Sequence, residues 1–315
     1  MGHVTRPLSS RQLLIALCLS AICVVRPFGA AYAGTPQTPA TPSPQTGGPQ
    51  TASGDQQSTA APAQPPASTD PSDDERITPL AEPEYRLINL ATTLRMPSHK
   101  ASFELTHRFD GNLRQGSFAD NASNLFGLDQ GAAVGLEFRY AVARHVEAAI
   151  YRTNIDKTIQ FYSKLDLVHQ HASVPFGLSA IVSVEGTNNF HTNYQPGISV
   201  IVSRDIATRL ALYAEPTYIG RTGIGAGIDQ GTSYVGLGAR ARVRQRMYLV
   251  AEVSPRVMGY RPGTAEYGFG IEERVGGHVF QLNFTNTTGT TFGQVARGGF
   301  PKSLFLGFNL ARKFF

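Results

Sequence analysis

The sequence predicts an all-β chain: a closed, antiparallel, up-and-down transmembrane β-barrel of about 12 strands, preceded by a disordered N-terminal arm. Three observations predict it. Short segments alternate with period two, so each strand has two chemically distinct faces. Long and short connections take turns along the chain. Charge collects on one face of each strand and avoids the middle of the other. The composition agrees: 16% charged residues, 32 glycines and no tryptophan fit a glycine-rich β protein better than a soluble α/β enzyme.

Residues 1–33 read as a signal peptide. Arg6 and Arg11 form a positive n-region, Leu13–Val25 an apolar h-region too short for an ordinary spanning helix, and Ala31-Tyr32-Ala33 a small-x-small cleavage site. Cys18 and Cys23 both lie in it, and Leu17 and Ile22 before them do not fit lipoprotein processing. The mature chain is then free of cysteine, so disulfides and thiolate metal sites are excluded. Removal of this segment leaves 25 basic and 23 acidic residues, which removes the argument for a nucleic-acid partner.

Residues 34–84 are rich in Pro, Thr, Gln, Ala and Ser, with an acidic run at Asp70–Glu75 and no aliphatic residue larger than Ala before Ile77. Such a stretch cannot bury enough surface to fold and is expected to be a disordered linker. It is either a plain spacer or an arm for a periplasmic partner.

Residues 85–315 are the expected barrel. Its strands read as Ala101–Phe109, Ala132–Tyr140, His145–Arg152, Thr158–Leu167, Pro175–Glu185, Gly197–Ser203, Arg209–Glu215, Ser233–Val243, Met247–Arg256, Glu266–Arg274, His278–Thr285 and Lys302–Phe314. The even connections are short. The first, fifth (Gly186–Pro196), seventh, ninth and eleventh (Asn286–Pro301) are longer and read as external loops; only the third, Thr153–Lys157, breaks the rhythm. Outer-membrane barrels show this asymmetry because their periplasmic turns are short.

The apolar faces carry, for example, Leu136, Phe138 and Tyr140, or Leu237, Ala239 and Ala241, and are expected to meet outer-membrane lipid. The opposite face must then line the lumen. It assigns Glu104, Arg108, Glu137, Arg139, Glu147, Lys164, Arg209, Glu215, Arg240, Arg242, Glu252, Glu272 and Arg274 to the interior, together with Asp166, Glu185 and Arg256. Eight acids face eight bases. A strongly ion-selective pore would carry rings of one sign, so balance suggests cross-strand ion pairs or a weakly selective path. Tyr85–Pro97 is a candidate plug.

The C-terminus resembles the signal read by the barrel-assembly machinery. Leu306, Phe308, Leu310 and Phe314 share one face and the chain stops on Phe315, one residue out of the commonest frame. Arg86–Thr93 (RLINLATT), Glu104–Phe109 (ELTHRF), Phe126–Tyr140 (FGLDQGAAVGLEFRY), Ile150–Thr153 (IYRT), Thr158–Leu165 (TIQFYSKL) and Gly307–Phe314 (GFNLARKF) resemble an uncharacterised bacterial β-barrel family, domain of unknown function 5777. The resemblance covers residues 85 to the end. It implies an outer-membrane location and a barrel, and carries over no catalytic residue.

Chemistry at single residues is sparse. Asp166, His169 and His171 lie close enough to suggest a metal, but fall at a short turn with no further ligand nearby, so no metal site is assigned. His107 reads as an interfacial histidine. No G-x-S-x-G run is present, and Gly220–Gly231 lacks the G-K-[ST] ending of a nucleotide loop. No catalytic residue and no cofactor are expected. The leading expectation is a non-enzymatic narrow passive channel or small-solute uptake porin. The alternatives are a non-conducting anchoring barrel that binds a partner through its arm or loops and, third, a barrel hydrolase.

Overall fold

The computed structural model describes residues 80–314. The expected signal peptide, most of the expected linker, and Phe315 lie outside the described residues.

Alternation becomes strand throughout. The strands are β1 (Ala101–Asn112), β2 (Ala132–Ala143), β3 (Val146–Thr153), β4 (Ile159–Val168), β5 (Gly177–Gly186), β6 (Thr192–Ile206), β7 (Leu210–Ile219), β8 (Thr232–Arg242), β9 (Met247–Ser254), β10 (Arg256–Gly259), β11 (Glu266–Val275), β12 (His278–Thr285) and β13 (Phe305–Phe314). Each pairs antiparallel with its neighbours. The sheet closes where β1 meets β13, with Leu105 opposite Leu310, and where β8 meets β9, with Leu237 opposite Val253. Closure leaves no open edge, which is what a sheet in lipid requires.

The barrel has 12 spanning strands, and β10 is an extension of β9. Pro255 separates the two because it has no N–H for the ladder. Its carbonyl still accepts from Val235, and Arg256 then resumes pairing opposite Tyr234.

Two expectations about the connections change. β6 begins at Thr192 instead of Gly197, because Gln195 and Pro196 pair with Glu185 and Val184. The β5–β6 connection therefore shrinks to five residues, and two of the connections at that end are short. The eleventh connection is not an open loop. A helix within it, α1 (Phe292–Arg297), turns into the barrel behind a Thr291–Gln294 capping box, and five of its six residues are buried. Apolar Phe292, Val295 and Ala296 drive it inward.

At the end that carries the termini the turns are short, apart from the eight-residue β4–β5 connection. Two of them are two-residue turns, Arg144–His145 and Gly276–Gly277, and the second places Gly276 at φ +58°. The outward faces expose Leu136, Phe138, Leu237, Leu249, Phe280 and Leu282, an apolar surface suited to lipid.

The stretch before β1 also enters the barrel, from the termini end. Residues 80–96 form a hairpin that is buried almost throughout. Arg86 bridges to Ala91, Leu87 N–H donates to Leu90 O (2.8 Å), and Thr92 N–H donates to Tyr85 O (3.0 Å). Its start overlaps the expected linker. Residues 80–84 belong with the hairpin because Glu82 and Glu84 bond within it, to Thr93 and Tyr85.

Candidate functional site: a lumen filled by the chain's own hairpin

Inward residues of β1–β4 build a ladder of ion pairs that the hairpin completes. Arg86 reaches Glu104 on β1 (Nε–Oε2 3.2 Å) and Glu137 on β2 (Nη2–Oε2 2.5 Å). Arg139 takes the other oxygen of Glu137 (2.6 Å) and lies 3.7 Å from Glu147 on β3. Lys164 on β4 joins Glu147 (3.2 Å) to Asp166 (3.6 Å), and Arg95 on the hairpin's return arm approaches Asp166 at 3.9 Å. Tyr85 lies among Arg139, Lys164 and Lys313, each within 6 Å of its ring. Opposite charges on neighbouring strands attract, and burial strengthens that attraction by lowering the local dielectric.

Other wall side chains hold the hairpin by its main chain. The carboxylate of Glu252 accepts N–H bonds from Ile88, Asn89 and Leu90 (2.9, 2.8 and 3.2 Å). Three successive amides around one anion form a nest at the hairpin tip. Glu215 accepts from Ala91 and Glu147 from Met96, each at 3.0 Å. Carbonyls are met by donors: Gln281 to Leu87 (2.6 Å), Asn309 to Ile88 (3.1 Å), Arg240 to Arg86 (2.7 Å), Lys164 to Leu94 (2.5 Å), and Lys313 to Pro83. A hairpin with few internal bonds thus has its buried backbone satisfied by the wall. Arg240 is in turn paired with Glu272 (3.0 Å).

The opposite sector is shaped by small and apolar residues. Leu87 and Leu90 pack in one cluster with Ile181, Ile201, Ala211, Tyr213 and Val250. They fit because β8 presents Gly238 and Gly236 inward. A Cβ at Gly238 would lie 2.4 Å from Leu87 Cδ2, and one at Gly236 2.5 Å from Leu90 Cδ2. Helix α1 approaches the tip from the other end. Phe292 N–H donates to Gln160 (2.9 Å), Gly293 N–H to Glu185 (3.0 Å), and Arg86 Nη1 to Thr290 O (3.3 Å). Hairpin and helix together occupy the lumen.

Of the residues assigned to the lumen, Glu104, Arg108, Glu137, Arg139, Glu147, Lys164, Glu215, Arg240, Glu252, Glu272 and Arg274 are buried there. Arg209 is not: β7 starts one residue later, so Arg209 sits in the exposed Ala207–Arg209 turn. Arg242 is half-buried at the end of β8, where it donates to Thr208 (3.4 Å). Asp166 turns inward to Ser179 (2.9 Å). It does not join His171, which lies in the turn beyond β4. In that turn partial burial and the nearby Arg95 hold His169 below its ordinary pKa. Among the described residues no group of three or more His, Cys, Asp or Glu is placed to hold a metal.

Sequence reasoning missed Arg86 as a ligand of the wall, and also Glu266, Gln281, Lys313 and Asn309. Period two alone would have placed Lys313 and Asn309 together on the inward face of β13. The outward face of that strand carries Leu306, Phe308, Leu310 and Phe314. There His107 stacks on Phe308 (4.8 Å between ring centres) beside Phe109.

A family model described as a membrane bound beta barrel domain (DUF5777) matches residues 84–314. No curated protein matches the chain. Among solved structures the chain is similar to the NanC porin, at 7% identity over 68% of this chain and 100% of that one, with a TM-score of 0.45. It is also similar to an outer membrane channel from Pseudomonas putida F1, at 10% identity over 70% and 97%, with a TM-score of 0.45. Outer membrane phospholipase A from Escherichia coli is similar at 7% identity over 68% and 90%, with a TM-score of 0.39.

Proposed function

The chain belongs to the membrane bound beta barrel domain family (DUF5777), and on that premise we propose that it is a gated channel of the bacterial outer membrane, closed by its own N-terminal hairpin. One observation carries the reading. The strand ladder closes without residues 80–96, which bond the wall only through its side chains and contribute no spanning strand. The hairpin can therefore leave while the wall stays whole, and the vacated lumen is lined by buried charged and polar side chains that suit a small solute in water. The hairpin is continuous with the Pro- and Thr-rich residues 34–79, so a periplasmic partner holding that arm would act directly on the stopper.

Conductance in planar bilayers tests this. Wild type is expected to stay closed for most of the record, and Arg86→Ala to open often. If Arg86→Ala and a variant lacking residues 80–96 both fold, as judged by heat-modifiable gel mobility, and both stay silent across voltages and salts, the channel reading fails. The second reading, a non-conducting anchoring barrel, then stands. It draws on α1, which fills the lumen from the other end. A barrel hydrolase is less favoured, because the seven described histidines lie on outward faces or in turns.

A further inference from the structure

The wall on which Arg86 rests has the chemistry of a guanidinium receptor. Glu104 and Glu137, on adjacent strands and both buried, take its Nε and Nη2 edges. Tyr151 lies beneath the guanidinium, 5.4 Å from ring centre to Cζ, and the Thr290 carbonyl accepts from Nη1. Two carboxylates, an aromatic face and a carbonyl match the planar, multiply donating guanidinium better than a compact ammonium or a metal ion. The charge count points the same way. In the ladder the wall supplies four acids, Glu104, Glu137, Glu147 and Asp166, and two bases, Arg139 and Lys164. Arg86 and Arg95 of the hairpin bring two positive charges to it, while the hairpin's Glu84 faces Lys313 of β13 at 3.9 Å. Arg108, also on β1, turns away to Asn309 (2.8 Å). With Lys313 of β13 counted, the sector keeps four acids against three bases once the hairpin leaves, and Glu104 and Glu137 lose the guanidinium they share.

We propose that the Glu104–Glu137–Tyr151 site binds a guanidinium-bearing solute, and that Arg86 occupies it as an internal stand-in for that solute. The proposal rests on the gated-channel reading and names the class of solute: small guanidinium compounds, including arginine-like molecules. A solute entering the site competes with Arg86 and favours release of the hairpin, so ligand and stopper exclude one another.

Chemical rescue tests the site without relying on conduction. Full-length Arg86→Ala is folded in detergent and melted in methylguanidinium, or in sodium or methylammonium at the same ionic strength. Arg86→Ala should melt lower by about 5 °C or more, since it leaves buried carboxylates uncompensated. Methylguanidinium should recover most of that loss saturably, and the two other cations little of it. Adding Glu137→Gln to Arg86→Ala should abolish the recovery. No saturable recovery, or equal recovery by sodium, overturns the site.

If Arg86→Ala does not fold, wild type provides the second measurement. Methylguanidinium should speed hydrogen exchange of residues 84–96 several-fold over sodium, and unchanged exchange overturns the proposal. Rescue without conductance would keep the site and remove the channel. Conductance without rescue would keep the channel and remove the site.

Discussion

The two sides of the lumen hold the same hairpin by different physics. On the β1–β4 side Arg86, Arg139 and Lys164 alternate with Glu104, Glu137, Glu147 and Asp166 in a chain of charged contacts. On the β5–β9 side Leu87 and Leu90 fill space left by Gly236 and Gly238, and the charged groups there, Glu215, Arg240 and Glu252, bond the hairpin's main chain instead of pairing with its side chains. The charged side is directional: breaking one partner leaves an uncompensated buried charge. The apolar packing of Leu87 and Leu90 is additive and indifferent to sign, and its strength follows the area and fit of what is buried. A stopper that must hold firmly and still come out gains from this division. Shape sets where the tip rests, and charge makes the seat responsive to a competing ion.

The largest effect should come from the charged side. Arg86→Ala removes the cation shared by Glu104 and Glu137 and should weaken hairpin docking by about 3–5 kcal/mol, the usual cost of leaving a buried pair half broken. Hydrogen exchange of residues 84–96 reads that loss. Arg86→Lys should restore only part of it, because an ammonium cannot serve both carboxylates in the same fork. Full restoration by Lys would show that charge alone matters there. Adding Glu104→Gln to Arg86→Ala should recover stability by removing the orphaned anion.

The tip comes next. Glu252→Gln keeps the shape of the side chain but replaces an anion that accepts three N–H bonds. The loss should be about 1.5–3 kcal/mol, the range for hydrogen bonds to a charged group. It should appear as faster exchange at Ile88, Asn89 and Leu90, before Leu94 and Met96 are affected. Equal acceleration along the whole hairpin would mean that the nest is no separate anchor.

On the apolar side, Gly238→Val forces Leu87 aside, and overpacking of this kind costs about 1–3 kcal/mol. Leu87→Ala in the same chain should return much of the loss, because the new side chain then has room. The double variant should respond to salt like wild type, whereas Arg86→Ala should not. If Gly238→Val alters the salt response by itself, the two sides are coupled, and the division drawn between them is wrong.

How much of this could be read from the residues differs between wall and filling. The strands were legible because alternation is local. Ala132–Tyr140 and His278–Thr285 lie within the observed strands, and Glu137, Arg139 and Arg240 face inward as their parity requires. The closed barrel followed from that pattern and from the connections. The filling was legible only as a candidate plug at Tyr85–Pro97, without its form or its contacts. RLINLATT has no strand or helix period that identifies a hairpin, and its fold is imposed by the surrounding twelve-stranded wall. Gly236 and Gly238 read as features of a glycine-rich strand. Their purpose appears only with Leu90 and Leu87 against them. The loop carrying Thr290 and α1 looked external because it is long and polar, but Phe292, Val295 and Ala296 supply a small apolar face that prefers the interior. Local rules find the container, whereas its contents depend on partners far apart in sequence, such as Arg86 with Thr290.

The smallest effect serves as a control on the comparison. Arg221 and Asp229 form an ion pair of 3.1 Å in the β7–β8 connection, with side chains 44% and 77% exposed. In length it matches the Arg86–Glu104 contact of 3.2 Å, whose partners are almost fully buried. If distance decided the worth of a charge pair, Arg221→Ala and Arg86→Ala would cost alike. Water screens the outer pair and entropy opposes holding two mobile side chains, so Arg221→Ala should change the melting midpoint by no more than about 0.5 kcal/mol equivalent and leave hairpin exchange unaltered. Raising salt should erase even that difference. A loss approaching that of Arg86→Ala would mean that the external connection communicates with the lumen, and that the seat of the hairpin extends beyond the two walls that touch it.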